Sequence, residues 1–204
     1  MASGSEVFEL SVGDFVASSA EDDCGEQKRK RHKSDRLRHY LHTALFEDVT
    51  NACELRGSVL SGELQGALIR AELVLEPFQL LAAASRAVHA MLHDKMATRN
   101  VHSEIVYSLS PSRSISDSLA RFGAADDTSA VVVAVYSQSR STPPALRELS
   151  AKVVGKEAPM SALAARVGNS RLAKEVYHVS EPELNKVSVC DAIVFRIVTK
   201  DYSG

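Results

Sequence analysis

Apolar and polar positions along this chain fall into a few clear runs separated by polar connections. The longest is residues 77–95, PFQLLAAASRAVHAMLHDK, which is rich in the best helix formers, Ala and Leu. Pro77 suits a first helical turn, where its missing N–H costs nothing. This spacing predicts a helix that is apolar almost all round, with one polar strip formed by Gln79, Arg86, His89 and His93 and continued by Lys95 and Arg99. Residues 130–136, AVVVAVY, form a continuous β-branched run and predict a central strand buried on both faces.

Shorter patterns fill in the rest. VFEL (residues 7–10), YLHTALF (40–46) and EIVYSL (104–109) are read as strands. Asp48 is placed as the N-cap of a helix reaching Leu60, and residues 67–75 remain open between strand and loop. Ser114 and Asp117 resemble a capping box for a short helix over 115–122 that stops at Gly123. Pro143 and Pro144 open another helix to about Val153. Residues 161–168 and 171–177 read as helical pieces. Ser180 and Glu183 make a second capping-box pattern, which predicts one terminal helix from Pro182 to Val198.

Strands and helices are interspersed without a regular βαβ rhythm or a Gly-rich first turn. The expected fold is therefore α+β: a single domain with a mainly antiparallel, mixed sheet flanked by helices. Residues 1–17 hold the first strand, 18–38 a charged flexible insertion, and 39–204 the remainder of the domain. The insertion is polar throughout, acidic first and basic second, and cannot bury enough surface to offset the entropy of ordering.

Composition narrows the function classes. Hydrophobic residues make up 45% and charged residues 25%, with a net charge of −2 and no Trp. That balance excludes a globally basic nucleic-acid binder but leaves room for a local basic patch. The N-terminal twenty residues are too acidic for a secretory signal, and no run approaches a membrane span of about 20 apolar residues. Cys24, Cys53 and Cys190 are too widely spaced for a metal site, and a reducing compartment is expected. The run Lys28, Arg29, Lys30, Arg31, His32, Lys33 is a candidate nuclear-localisation or nucleic-acid patch.

Catalytic patterns are missing. His89 and His93 have the spacing of the H-E-x-x-H zinc motif, but Ala90 stands where the Glu is needed and no third ligand is evident. The phosphate-binding P-loop, the nucleophile elbow and the kinase signatures are absent. The chain is read as a non-enzyme that needs no metal and no cofactor. Its terminal helix carries two apolar faces, one of Leu184, Val187, Val194, Phe195 and Val198, the other of Cys190, Ile193 and Ile197. Such a helix is either sandwiched in the core or covered by a partner.

The segment EPFQLLAAASRAVH (76–89) resembles the TPRKB family of KEOPS/EKC subunits, which carries an Asp/Glu-Pro-Phe-Gln-Ile/Leu pattern followed by small residues. The resemblance continues through Lys95-Met96-Ala97-Thr98-Arg99, Ser103 to Val106, Leu109-Ser110-Pro111, Phe122-Gly123, Asp127-Thr128-Ser129 and Asp191-Ala192-Ile193, to Thr199-Lys200-Asp201. It implies a subunit without an active site that binds the small atypical kinase/ATPase PRPK and, through it, other KEOPS subunits. That assembly modifies tRNA with threonylcarbamoyladenosine, and relatives of this family also grip the tRNA 3′ end. Residence in nucleus and cytosol is expected. Arg86, Lys95 and Arg99 are the tRNA-contact candidates, and Ile193, Ile197 and Lys200 the kinase-interface candidates. A stand-alone tRNA- or RNA-binding module without a kinase partner is the alternative. The charged stretch 18–38 departs from the family, which has a short connection between its first strands.

Overall fold

A computed structural model describes residues 4–10, 38–164 and 169–201, the side chains of residues 169 and 170 excepted. The basic run Lys28, Arg29, Lys30, Arg31 and Lys33 lies outside the described residues, as does all of the 18–38 stretch except Arg38.

The sheet is built on β2 (His39–Glu47) and β4 (Val131–Ser137), which pair antiparallel. β1 (Glu6–Leu10) lies on the outer side of β2, and β3 (Ala67–Arg70) on the outer side of β4, giving the order β1-β2-β4-β3. A fifth strand, β5 (Lys156–Ala158), continues the β1 edge along Leu45 to Glu47. Every described pairing is antiparallel, and the domain is α+β as expected.

Helices cover both faces, which explains why β4 is apolar from Val131 to Tyr136. Val131, Val133 and Val135 face α1 (Ala52–Leu60) and α5 (Pro144–Lys152). Val132 and Ala134 face the opposite layer of α2 (Pro77–Leu92), α3 (Val101–Leu109), α6 (Asn169–Tyr177) and α8 (Val189–Thr199). A strand covered twice loses its alternation because neither face meets water. α4 (Ile115–Phe122) follows α3, and its Ser114 cap accepts from Asp117 N at 3.3 Å. The short α7 (Glu181–Leu184) precedes α8.

Four local expectations are corrected. The run 104–109 is helical, not extended. Asn100 caps α3 by accepting from Ser103 N at 2.9 Å, and Ile105, Val106 and Leu109 are buried in the core. An apolar run of six residues is ambiguous between a buried helix and a buried strand, and the cap decides for helix. Asp48 is not an N-cap. It takes a left-handed φ of 54° and α1 begins later, after Asn51. The Asn51 side chain instead donates to Lys152 O at 2.8 Å and accepts from Val154 N at 3.0 Å, clasping the end of α5.

The third correction is the strand β5, hidden by its length of three residues. Gly155 lets it approach, since a Cβ there would meet Glu47 O at 2.8 Å. The stretch after it forms only a 3₁₀ turn over Met160–Leu163 before the described residues break off. Fourth, the terminal helix is two helices. Ser180 makes no side-chain cap bond, whereas Ser188 accepts from Asp191 N at 3.1 Å and starts α8. Arg196 then folds α7 back with a bidentate pair to Glu183, at 2.7 and 2.8 Å.

Candidate functional site

The polar strip of α2 divides in two. Its N-terminal member, Gln79, is fully buried. It donates to Leu73 O and to Tyr177 Oη, both at 2.9 Å, and accepts from Leu75 N at 3.1 Å. Tyr177 Oη donates onward to Leu109 O, so one buried chain of hydrogen bonds joins α2, α6 and α3. A buried amide must fill its donors and acceptors, and here it does so while clamping the layer. Burial raises the Tyr177 phenol well above its usual range.

Just past the middle of α2, Arg86 is half-buried and engaged within the chain. It donates to Ser108 Oγ at 3.0 Å and to Asp201 Oδ1 at 2.5 Å. Lys200 lies beside it, 1% exposed, with Nζ 3.2 Å from the centre of the Tyr107 ring and donating to Tyr107 O. Burial, with the repulsion of Arg86, lowers the Lys200 ammonium to about 7, against the attraction of Asp201 and Glu104. Arg113 donates to Asp201 O at 3.1 Å and to Lys200 O at 3.4 Å, capping the end of α8.

The C-terminal part of the strip reaches solvent. His89 is exposed, and its ring lies 4.3 Å from that of His93. The α2–α3 turn follows, with Asp94 in a left-handed conformation (φ 53°) and Lys95 N donating to Ala90 O at 2.8 Å. Lys95 and Arg99 are both exposed on this turn.

α8 also splits by face. Ile193 and Ile197 are completely buried in the layer shared with α2 and α6, and Lys200 is buried as described. These three kinase-interface candidates therefore sit inside the fold, which corrects their assignment to a surface. The accessible apolar face is the opposite one, with Phe195 64% and Val198 49% exposed, and Val187 in the preceding turn. Both faces were apolar in sequence, and only the position of α2 decides which one is inside.

A separate cavity of about 350 Å³ opens beside β3 between α1, α3 and α4, lined by Leu60, Leu68, Val106 and Leu119 among others. Its ionisable residues are engaged within the chain. Arg56 pairs with Asp126 at 2.8 Å, and His102 Nε2 accepts from Tyr136 N at 3.2 Å. Burial lowers His102 to about 4, so the ring is neutral near pH 7. Asp126 lies in a turn after α4 and serves that ion pair. Among the described residues no group of three or more His, Cys, Asp or Glu could hold a metal ion, and no helix is long and apolar enough to cross a membrane.

The domain that carries this apolar helix face and basic turn matches one known family. Residues 46–201 match the family described as Kinase binding protein CGI-121. The chain belongs to the CGI-121 family. It is 35% identical over 158 residues to the zebrafish (Danio rerio) EKC/KEOPS complex subunit TPRKB, covering 77% of this chain and 89% of that protein. Fungal members match over a shorter stretch. The cgi121 subunit of Aspergillus fumigatus is 42% identical over 99 residues, 48% of this chain and 52% of its own length. That of Yarrowia lipolytica is 45% identical over 89 residues, 43% of this chain and 53% of its own length. The chain thus spans most of the animal relative and about half the length of these fungal ones. The CGI-121 match contains α2, the α2–α3 turn and α8, and so all three parts of the site.

Proposed function

We propose that this chain is a non-catalytic subunit of a KEOPS/EKC assembly that binds a PRPK-like kinase through the outward face of α8 and contacts tRNA through the α2–α3 turn. The carrying observation is that Phe195 and Val198 are exposed on a helix whose other face is locked in the core. A surface helix ordinarily needs one apolar stripe, and a second one that faces solvent favours a partner. The zebrafish relative is named as an EKC/KEOPS subunit and the family as kinase-binding, which supports a kinase as that partner.

Support for the tRNA contact is chemical. Lys95 and Arg99 are exposed cations on one turn, suited to phosphate oxygens. Arg86 remains in the proposal as a supporting cation, since its guanidinium is already shared between Ser108 and Asp201. Its role follows from tying α2 and α3 to the end of α8. The modification of tRNA, and presence in nucleus and cytosol, are part of the same proposal and follow from membership of that assembly.

Calorimetric titration into a purified PRPK-like kinase tests the reading. Phe195→Asp is expected to abolish measurable binding while the domain melts as before. Unchanged affinity for Phe195→Asp and Val198→Asp would remove this face from the interface. Absence of binding by the folded wild-type chain would leave the stand-alone RNA-binding module as the reading to pursue.

A further inference from the structure

Glu104 stands out as a carboxylate that is 2% exposed in the first turns of α3. A buried charge is tolerated only when its acceptors are satisfied. Here Oε2 accepts twice from one residue six positions earlier, from Thr98 N at 2.8 Å and from Thr98 Oγ1 at 2.7 Å. Thr98 Oγ1 also lies 3.1 Å from Asn100 O, and Asn100 is the cap of α3. At the other end of the turn, left-handed Asp94 and the bond from Lys95 N to Ala90 O close α2.

Between these two anchors the residues alternate. Lys95, Ala97 and Arg99 are exposed, whereas Met96 and Thr98 are half-buried. Thr98, held by Glu104, is followed directly by the exposed Arg99, four positions from the exposed Lys95 on the same turn. A neutral cap on α3 would need no such residue, because Asn100 already provides it.

We infer that Glu104 is the positioning residue of the RNA-contact turn: by gripping Thr98 from inside, it presents Lys95 and Arg99 together. This rests on the RNA reading above. A turn that is already ordered does not pay the entropy of ordering when the ligand arrives, so affinity is gained without an added contact.

The test uses the full chain and an unmodified tRNA transcript, with amide hydrogen exchange of residues 94–100 as a readout independent of RNA. Glu104→Ala is expected to speed exchange across the turn and to weaken tRNA binding by about tenfold, roughly the effect of ordering one residue's backbone on binding. The salt slope should match wild type, because both cations remain. Glu104→Gln keeps an acceptor oxygen and should restore most of the exchange protection and affinity. In a Lys95→Ala, Arg99→Ala background, Glu104→Ala should cost nothing further in tRNA affinity.

Unchanged exchange in a folded Glu104→Ala chain, or a loss fully additive with that of Lys95 and Arg99, overturns the inference. Should Glu104→Ala fail to fold, Thr98→Val removes the hydroxyl bond alone and must still speed exchange of the turn. Tight tRNA binding insensitive to Lys95→Glu and Arg99→Glu would overturn the RNA reading itself, while the exchange data still decide whether Glu104 orders the turn.

Discussion

Arg86 and Asp201 form an ion pair that ties α2 to the end of α8, with Nη2 to Oδ1 at 2.5 Å and the two residues 115 positions apart in sequence. The arginine end is largely shielded and the aspartate end two-thirds exposed. Asp201→Asn should therefore lower stability by less than about 1 kcal/mol. Arg86→Ala also strips the partner from the buried Ser108 hydroxyl and should cost about 1–3 kcal/mol. Urea unfolding of both variants checks the order.

The two faces of α8 should respond oppositely. Ile193→Ala opens a void in the layer between α2 and α6 and should destabilise the fold by about 2–5 kcal/mol. Phe195→Ala removes an exposed ring and should change stability by no more than about 0.5 kcal/mol. Kinase affinity should show the reverse emphasis among variants that remain folded. Equal destabilisation by both substitutions would contradict the described orientation of α8.

Lys200 makes the fold sensitive to alkaline pH in a defined direction. Its folded value is lowered from 10.5 to about 7, so between these values the unfolded chain holds the proton more often than the native one. Stability from this group accordingly rises as pH increases from about 7 to 10.5 and is lost as pH falls through 7. The melting-temperature gain of Lys200→Met over wild type should be largest near pH 6.5 and shrink steadily toward pH 10. A gain independent of pH would show that the ammonium is not desolvated.

His102 sets an acid-side counterpart. Burial holds it near 4, below its ordinary 6.5, while its Nε2 accepts from Tyr136 N. The unfolded chain binds the extra proton between those values, so stability is full above pH 6.5 and falls as pH drops toward 4. His102→Gln keeps an acceptor for Tyr136 N without a titrating ring. The variant should lose less stability than wild type between pH 6.5 and 4.5, as read by thermal melts.

The sequence by itself determined the elements whose signals are local and strong. Pro77 followed by an Ala- and Leu-rich run specified α2, the Ser114 cap and Gly123 bounded α4, and seven consecutive apolar residues specified a central strand. In each case the backbone preference and the burial demand agree, so no distant neighbour was needed to decide. Family membership was equally legible, since it resides in an ordered series of residues from Glu76 to Asp201.

Only the tertiary structure decided the rest. Residues 104–109 satisfy a strand pattern as well as a helix, and the cap from Asn100 together with packing against α2 selects the helix. Phe195 and Ile193 are both apolar residues of one helix, and the side on which α2 and α6 lie buries one and exposes the other. Lys200 reads in sequence as a surface cation and is inside, because the Tyr107 ring and carbonyl receive its ammonium. These outcomes depend on groups far apart in the chain, whose attraction and exclusion of water exist only once the layers have closed.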